Sequence, residues 1–114
     1  AGKMNAVVAI TGAIDIVADA EKAYCIYNGR PEMSSITGTG CQLSALTAAF
    51  VTANQEQPLE AAAAAVCAMG LAGEKAYARL SELDGNATYR NYIIDAIYCM
   101  NGEALEAGAK FEVR

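Results

Sequence analysis

The residue types best suited to chemistry lie together at positions 34–41, which read Ser-Ser-Ile-Thr-Gly-Thr-Gly-Cys. Leu43, Leu46 and Phe50 then recur at helical spacing, which predicts a helix with one buried face that begins at residues 38–42. The N–H groups of a helix's first turn have no partner inside the helix, and the helix dipole is positive at that end. This turn is therefore suited to bind a phosphate or to stabilise a developing negative charge.

Three residues of this turn have separate chemical uses. Gly38 and Gly40 let the backbone approach a ligand closely and adopt positive φ angles. Cys41 falls at the helix start, where the dipole favours a thiolate. The same pattern is also typical of an ordinary loop before a capped helix. It lacks the lysine of a P-loop and the third glycine of a dinucleotide fingerprint.

The turn belongs to a longer ordered set of motifs. Residues 6–15 read Ala-Val-Val-Ala-Ile-Thr-Gly-Ala-Ile-Asp, residues 27–31 read Tyr-Asn-Gly-Arg-Pro, and residues 37–41 read Thr-Gly-Thr-Gly-Cys. This set resembles the C-terminal half of the hydroxyethylthiazole kinases, which are ribokinase-like enzymes of thiamine biosynthesis. Cys41 is the most specific mark, since most ribokinase-like enzymes have Asp at that place. The resemblance implies an α/β fold, the C-terminal half of a ribokinase-like fold, in which a few strands with a hairpin pack against three helices.

The resemblance also implies a reaction, the ATP-dependent phosphorylation of the hydroxyl of 4-methyl-5-(2-hydroxyethyl)thiazole by a longer or assembled enzyme. The backbone at Gly38, Thr39, Gly40 and Cys41 would then form an anion hole around the transferring phosphoryl group. Gly38 would also lie against the thiazole substrate. Two alternatives remain: a ribokinase-like kinase for another small alcohol, and an inactive nucleotide-binding or oligomerising fragment.

The resemblance assigns further roles to single side chains. Thr11 and Thr37 are the expected ATP-binding residues, although Thr11 is equally well interpreted as a strand-terminal threonine with a satisfied hydroxyl. Cys41 would face the acceptor hydroxyl as the catalytic residue, and we expect it to position that group first and to act as a base second. Asp15 and Asp19 suit either metal ligation or a solvated hairpin edge, and no metal ligand is expected among them.

Composition excludes several classes of protein. The net charge is −5 with no basic patch, which argues against a nucleic-acid partner. The absence of histidine excludes histidine acid–base catalysis. Cys25, Cys41, Cys67 and Cys99 lack C-x-x-C spacing, so we expect free thiols, a cytoplasmic protein and no zinc site. The longest apolar run, which lies between Glu60 and Glu74, is too short to cross a membrane.

The chain begins Ala1-Gly2-Lys3, without an initiator Met, whereas the family that it resembles has a further front half. We therefore interpret residues 1–114 as a single partial domain, the nucleotide-side half of a ribokinase-like kinase. The resembled enzymes use ATP with Mg²⁺, and the Mg²⁺ ligands are expected in the absent N-terminal half. They are trimers, so we expect a homo-oligomer or association with an N-terminal half.

Periodicity and turn residues predict the elements that hold the turn in place. Residues 6–11 read as a strand covered on both faces, and residues 14–18 and 23–28 as a hairpin. Asn86 and Ala87 open a further helix and depart from the resembled family's pattern there. The helices are predicted to end near Asn54, to span residues 58–80, and to run from about residue 86 to Met100, with a terminal strand or tail at residues 110–114. Cys25, Cys67 and Cys99 fall on faces predicted to be buried, so Cys41 is expected to be the most reactive thiol.

Overall fold

The computed structural model describes residues 6–114, a four-stranded antiparallel sheet packed against four helices. The sheet order is β1-β2-β3-β4, with β1 Val8–Ile10, β2 Asp15–Ala18, β3 Ala23–Ile26 and β4 Phe111–Val113. The helices are α1 Thr39–Ala53, α2 Pro58–Arg79, α3 Asn86–Cys99 and α4 Gly102–Gly108, and a 3₁₀ helix covers Pro31–Ser35. Asn5, where the resemblance begins, and the four residues before it lie outside the described residues.

The predicted hairpin is confirmed as β2 and β3, and acidic side chains fix its turns. The carboxylate of Asp19 accepts hydrogen bonds from the N–H groups of Glu21 and Lys22, at 2.8 and 3.0 Å. These bonds hold the pKa of Asp19 below its usual range. Asp15 accepts a bond from the N–H of Gly12 at 2.9 Å, before the hairpin begins. Both carboxylates therefore stabilise turns, which favours the hairpin-edge interpretation.

The two faces of the sheet differ in their cover. Val17 and Ile26 face the helices and are fully buried. On the other face Ile10, Ile16 and Cys25 are cross-strand neighbours, and Ile10 and Ile16 remain 63% and 41% exposed. The prediction that the first strand is covered on both faces is therefore wrong for the described residues. Within residues 6–114 the helices lie on one side of the sheet, and no helix covers the other side, which carries Ile10, Ile16 and Cys25 and is named the open sheet face.

Helix α2 is the centre of the fold. Pro58 opens it at the first helical position, as predicted, and it continues without a break past Gly70 and Gly73. Gly70 is needed for close packing, because a Cβ there would lie 2.7 Å from Cβ of Asn28. The sheet, α1 and α3 all pack around α2 and enclose a core formed by these buried residues of α2: Leu59, Ala62, Ala63, Val66, Cys67, Met69, Ala72 and Ala76.

Helices α1 and α3 begin and end close to where the sequence predicts, and β4 confirms the predicted terminal strand. The fourth helix, α4, was not predicted, so the expected count of three helices is one too low. Its signal was present, because the side chain of Asn101 caps it by accepting the N–H of Ala104 at 2.8 Å. Among the helices of residues 6–114, none is long and apolar enough to cross a membrane.

Candidate functional site

A cleft of about 560 Å³ lies where the sheet, α1 and α2 meet. Four stretches of chain contribute to its walls: the link between β1 and β2, the segment after β3, the first turn of α1 and the middle of α2. The lining includes Thr11, Asn28, Gly29, Arg30, Thr39 and Gly40. Leu43, Val66 and Met69 add an apolar floor to the cleft.

The N-terminus of α1 offers free hydrogen-bond donors. Gly38 is the N-cap, with φ of +98°, and its carbonyl accepts the first helical bond from the N–H of Gln42 at 2.9 Å. Among the described residues, no acceptor is found for the N–H groups of Thr39, Gly40 and Cys41. Three adjacent donors at the positive end of a helix suit an anionic ligand.

The two glycines of the turn differ in what the fold requires of them. Gly38 has a positive φ that other residues rarely adopt, so a side chain there would strain the backbone. Gly40 is in the helix, and a Cβ built on it would meet no atom within 4 Å. The fold of the described residues therefore has no need for glycine at position 40, which leaves that side of the cleft open to a ligand.

The predicted site residues are brought close together but not all onto one surface. Thr11, Thr39 and Gly40 line the cleft, although Thr11 comes from the end of β1, far from α1 in sequence. Thr37 is exposed beside the same turn, outside the lining of the cleft. Cys41 lies in the first turn of α1 and is exposed.

The four cysteines differ from the predicted pattern. Cys67 is buried, as expected, and its burial raises the pKa of the thiol to about 11. Cys25 is only half-buried, and Cys99 is exposed at the end of α3, so the prediction that both are buried is wrong. Two apolar residues of the same helix, Ile94 and Tyr98, are exposed as well.

Sequence reasoning missed the segment after β3 as part of the site. It recognised the Asn-Gly-Arg-Pro stretch as a turn, but this turn also lines the cleft through Asn28, Gly29 and Arg30. The guanidinium of Arg30 lies 4.2 Å from the centroid of the Tyr77 ring and forms an ion pair with Glu32 at 2.6 Å. The clue was the charge itself, since an arginine in a turn that leads to a phosphate-type loop is a candidate anion ligand.

A partly buried polar network fixes this turn against α2. The Asn28 side chain is 7% exposed, and its amide donates to a carboxylate oxygen of Glu74 at 2.8 Å. The same oxygen accepts the N–H of Gly29 at 2.9 Å, while the other oxygen pairs with the ammonium of Lys110 at 2.7 Å. Burial alone would raise the pKa of Glu74, but the bonds from Lys110, Gly29 and Asn28 outweigh it and lower the pKa.

Metal ligation finds no support within the described residues. No group of three or more Cys, Asp or Glu side chains in residues 6–114 is arranged to hold a metal ion. Asp15, which lines the cleft, accepts the N–H of Gly12, and Glu74 on α2 belongs to the Lys110 network.

The class of protein that these observations define is an α/β domain whose first helix points its free N-terminal amides at a cleft. The family model described as the hydroxyethylthiazole kinase family matches residues 1–103, and the chain belongs to that family. The α/β fold that the resemblance implies is thereby confirmed.

Individual relatives agree with this assignment. The chain is 59% identical over 110 residues to a hydroxyethylthiazole kinase of Clostridium acetobutylicum, covering 96% of this chain and 40% of the relative. It is 39% identical over 110 residues to one from Zea mays, covering 96% of this chain and 38% of the relative. A solved hydroxyethylthiazole kinase structure from Pyrococcus horikoshii superimposes with a TM-score of 0.87 at 35% identity, over 98% of this chain and 42% of that chain. The chain thus spans about two fifths of the length of these relatives.

Proposed function

We propose that this chain is the nucleotide-side half of a hydroxyethylthiazole kinase. In the assembled enzyme, the γ-phosphoryl group of ATP passes to the hydroxyl of 4-methyl-5-(2-hydroxyethyl)thiazole. The observation that carries the proposal is the first turn of α1, where three adjacent N–H groups have no acceptor among the described residues and Thr39 and Gly40 line a cleft. Family membership supports the same reaction, since the relatives bear this name.

The chemistry of phosphoryl transfer fits what this turn offers. Transfer requires positioning and charge stabilisation more than covalent chemistry from the protein. The N–H groups of residues 38–41 would donate to the phosphoryl oxygens and stabilise the charge that is spread over them in the transition state. These donors are held by the helix before the ligand arrives, so little reorganisation is needed during the reaction.

Side chains around the turn complete the proposed site. Thr11 and Thr37 bind ATP, with Thr11 in the wall of the cleft and Thr37 just before the turn. Gly38 lies against the thiazole ring. Cys41 orients the acceptor hydroxyl, and as a thiolate it would also accept the hydroxyl proton. A thiolate stabilised by the helix is a weaker base, so we rank its positioning role first.

Mg²⁺ belongs to the proposal through the family resemblance, and we place its ligands outside this chain. Residues 6–114 offer no cluster of ligands for it, so no step is assigned to the metal here. The role of the described residues is to bind the phosphoryl group and the acceptor. The described cysteines are all free, which supports a reducing, cytoplasmic setting for the enzyme.

The open sheet face supports association with another chain. Ile10 and Ile16 on this face are 63% and 41% exposed, and Ile14, just before β2, is 49% exposed. Apolar patches of this kind mark interaction surfaces. We propose that this face is covered either by a front-half chain or by further copies, in a trimer of the assembled enzyme. Sedimentation of the chain as a well-folded monomer at micromolar concentration would contradict this part of the proposal.

Acceptor preference tests the proposed reaction. The chain would be combined with the part of the Clostridium acetobutylicum relative that it does not cover, and ATP-dependent phosphorylation of the thiazole alcohol would be compared with that of a pyrimidine alcohol and a sugar. We expect the thiazole alcohol to have the highest kcat/KM. A higher value for the sugar would favour the alternative of another ribokinase-like kinase.

A further inference from the structure

We propose that Glu74 is a positioning residue for the anionic substrate, because it fixes the turn that carries Gly29 and Arg30 into the wall of the cleft. Neither the sequence motifs nor the names of the relatives point to this residue. The inference rests on the proposed function, since it treats the cleft beside α1 as the ATP site. It concerns a different element from the first turn of α1 and can fail independently.

Three residues on one face of α2 each contact one residue of the turn at positions 28–30. Gly70, Glu74 and Tyr77 recur at i, i+4 and i+7, so they lie along one stripe of the helix. Their partners are consecutive residues of the turn. Gly70 leaves room for Asn28, Glu74 accepts the N–H of Gly29 at 2.9 Å, and the ring of Tyr77 lies under the guanidinium of Arg30.

Glu74 is the member of this stripe that makes the most specific contacts. Its Oε2 accepts two hydrogen bonds, from the Asn28 amide at 2.8 Å and from the Gly29 N–H at 2.9 Å. Its Oε1 pairs with Lys110 at 2.7 Å, and this ion pair orients the carboxylate. Charge-assisted hydrogen bonds are about twice as strong as neutral ones, so Glu74 determines where the turn lies.

The geometry of Gly29 explains why the turn needs such a contact. Its φ is +112°, a conformation that only glycine adopts freely. A glycine is also flexible, so the position of the next residue, Arg30, depends on what restrains the Gly29 backbone. Glu74 supplies that restraint on one side, and the Asn28 side-chain oxygen adds another by accepting the N–H of Lys110 at 2.8 Å.

The consequence for the site lies in the charge of Arg30. Arg30 is the cationic residue among those lining the cleft that contains Thr39 and Gly40. Its guanidinium is paired with Glu32 at 2.6 Å and lies over the Tyr77 ring, so a phosphate would compete with Glu32 for this cation. With the phosphate bound, the cation and the helix N-terminus would both attract its oxygens. Glu74 contacts the turn and does not line the cleft. It therefore acts on the substrate through the turn and is a positioning residue, not a catalytic one.

A matched control lies on the same helix. Glu60 is another α2 glutamate that pairs with a lysine, since its Oε2 lies 2.8 Å from Lys22 and accepts the Tyr24 hydroxyl at 3.2 Å. Its partners lie on the hairpin and do not line the cleft beside α1. Removing the carboxylate of Glu60 therefore disturbs a similar ion pair without touching the cleft wall.

The test is an ATP titration by ¹⁵N-edited NMR of the labelled chain combined with the part of the Clostridium acetobutylicum relative that it does not cover. The amide signals of Gly40 and Gly29 report binding. For Glu74→Ala we expect the dissociation constant for ATP to rise about tenfold, since the restraint from a charge-assisted cluster is lost. Glu74→Gln keeps one oxygen for the Gly29 N–H and should recover part of the affinity. Glu60→Gln should bind ATP within about twofold of the unsubstituted chain. Thermal unfolding confirms that each variant is folded.

The possible results separate the two proposals. If the unsubstituted chain binds ATP and both Glu74 variants bind it as well as Glu60→Gln does, the inference about Glu74 is overturned and the proposed function stands. If ATP causes no shift at Gly40 in the unsubstituted chain combined with that part of the relative, the proposed function fails and the inference fails with it. If Glu74→Ala does not fold, Glu74→Gln decides the matter by the same comparison with Glu60→Gln.

Discussion

Helices α1 and α2 are both rich in small apolar residues, but they differ in how deeply they are buried. Helix α2 has fourteen buried residues, whereas no residue of α1 is buried. The position of α2 is therefore determined by contacts inside the chain. The start of α1 packs against the rest of residues 6–114 on one side, and its first-turn N–H groups have no acceptor among those residues. This arrangement suits a helix whose missing contacts are made by a ligand or another chain.

The largest expected difference between the two helices is in thiol reactivity. Cys41 in α1 is exposed, whereas Cys67 in α2 is buried with its pKa raised from 9.0 to about 11. Two pKa units reduce the thiolate about a hundredfold, and burial restricts access further. We therefore expect iodoacetamide to modify Cys41 at least about a hundredfold faster than Cys67, as measured by mass spectrometry of peptides.

Cys99 is the control for exposure, since it is exposed at the other end of a helix. ATP with the thiazole alcohol should slow the labelling of Cys41 and leave that of Cys99 unchanged. Equal rates for Cys41 and Cys67 would mean that the first turn of α1 is not accessible in solution.

The second prediction compares glycines on the two helices. Gly70→Ala should destabilise the fold by about 1–3 kcal/mol, the usual range for overpacking, because the new Cβ would lie 2.7 Å from Asn28. Gly40→Ala has free space and should change the free energy of unfolding by less than about 1 kcal/mol. Urea unfolding of both variants measures the difference. Similar losses for the two variants would show that α1 is packed in a way that this structure lacks.

The sequence predicted most of this arrangement, and its failures have physical causes. The hairpin, α1, α2 and α3 follow from periodicity and turn residues, which are local signals. The exposure of β1 and of Cys99 could not be predicted, because an apolar pattern shows what a residue can bury and not whether a partner is present. Short helix α4 was missed because seven residues provide little periodicity, although the Asn101 cap was visible.

The site divides in the same way. The turn at residues 38–41 was found because its glycines and helix start are adjacent in sequence. The polar network joins residues that are far apart in sequence: Asn28 and Glu74 are separated by 46 positions, Glu74 and Lys110 by 36, and Asn28 and Lys110 by 82. No local motif therefore indicates it. Only packing on α2 brings those three residues together.

A third prediction concerns how the stability of the fold depends on pH. Helix α2 should contribute to this dependence through Glu74, whereas α1 has no charged side chain and should not. The pKa of Glu74 is lowered in the folded chain, so its contribution is present above the ordinary value of 4.5 and is lost as the pH falls through the lower folded value. Between pH 7 and pH 3, Glu74→Gln should lose less unfolding free energy than the unsubstituted chain, by about 1 kcal/mol. Urea unfolding at the two pH values measures this, and an equal loss in both proteins would contradict the network.

The smallest expected effect is the control for the glycine comparison. Gly102→Ala places a Cβ in open space in the first turn of α4, as Gly40→Ala does in α1. We expect a change in unfolding free energy of less than about 0.5 kcal/mol, typical of surface substitutions. Urea unfolding measures both variants. If Gly102→Ala changes the unfolding free energy more than Gly40→Ala does, the first turns of α1 and α4 differ in how well they accept a side chain, and that difference has nothing to do with a ligand.

The central claim, that the first turn of α1 binds the transferring phosphoryl group, is tested most directly by one rate comparison. The chain is combined with the part of the Clostridium acetobutylicum relative that it does not cover, and phosphorylation of the thiazole alcohol by ATP is measured for Gly40→Val and Gly102→Val. We predict that Gly40→Val lowers kcat/KM at least about a hundredfold, because its side chain would keep the phosphoryl group away from the backbone N–H groups, with an effect as large as the loss of one anion-hole donor. Gly102→Val should leave kcat/KM unchanged. Equal activity of the two variants would contradict the claim.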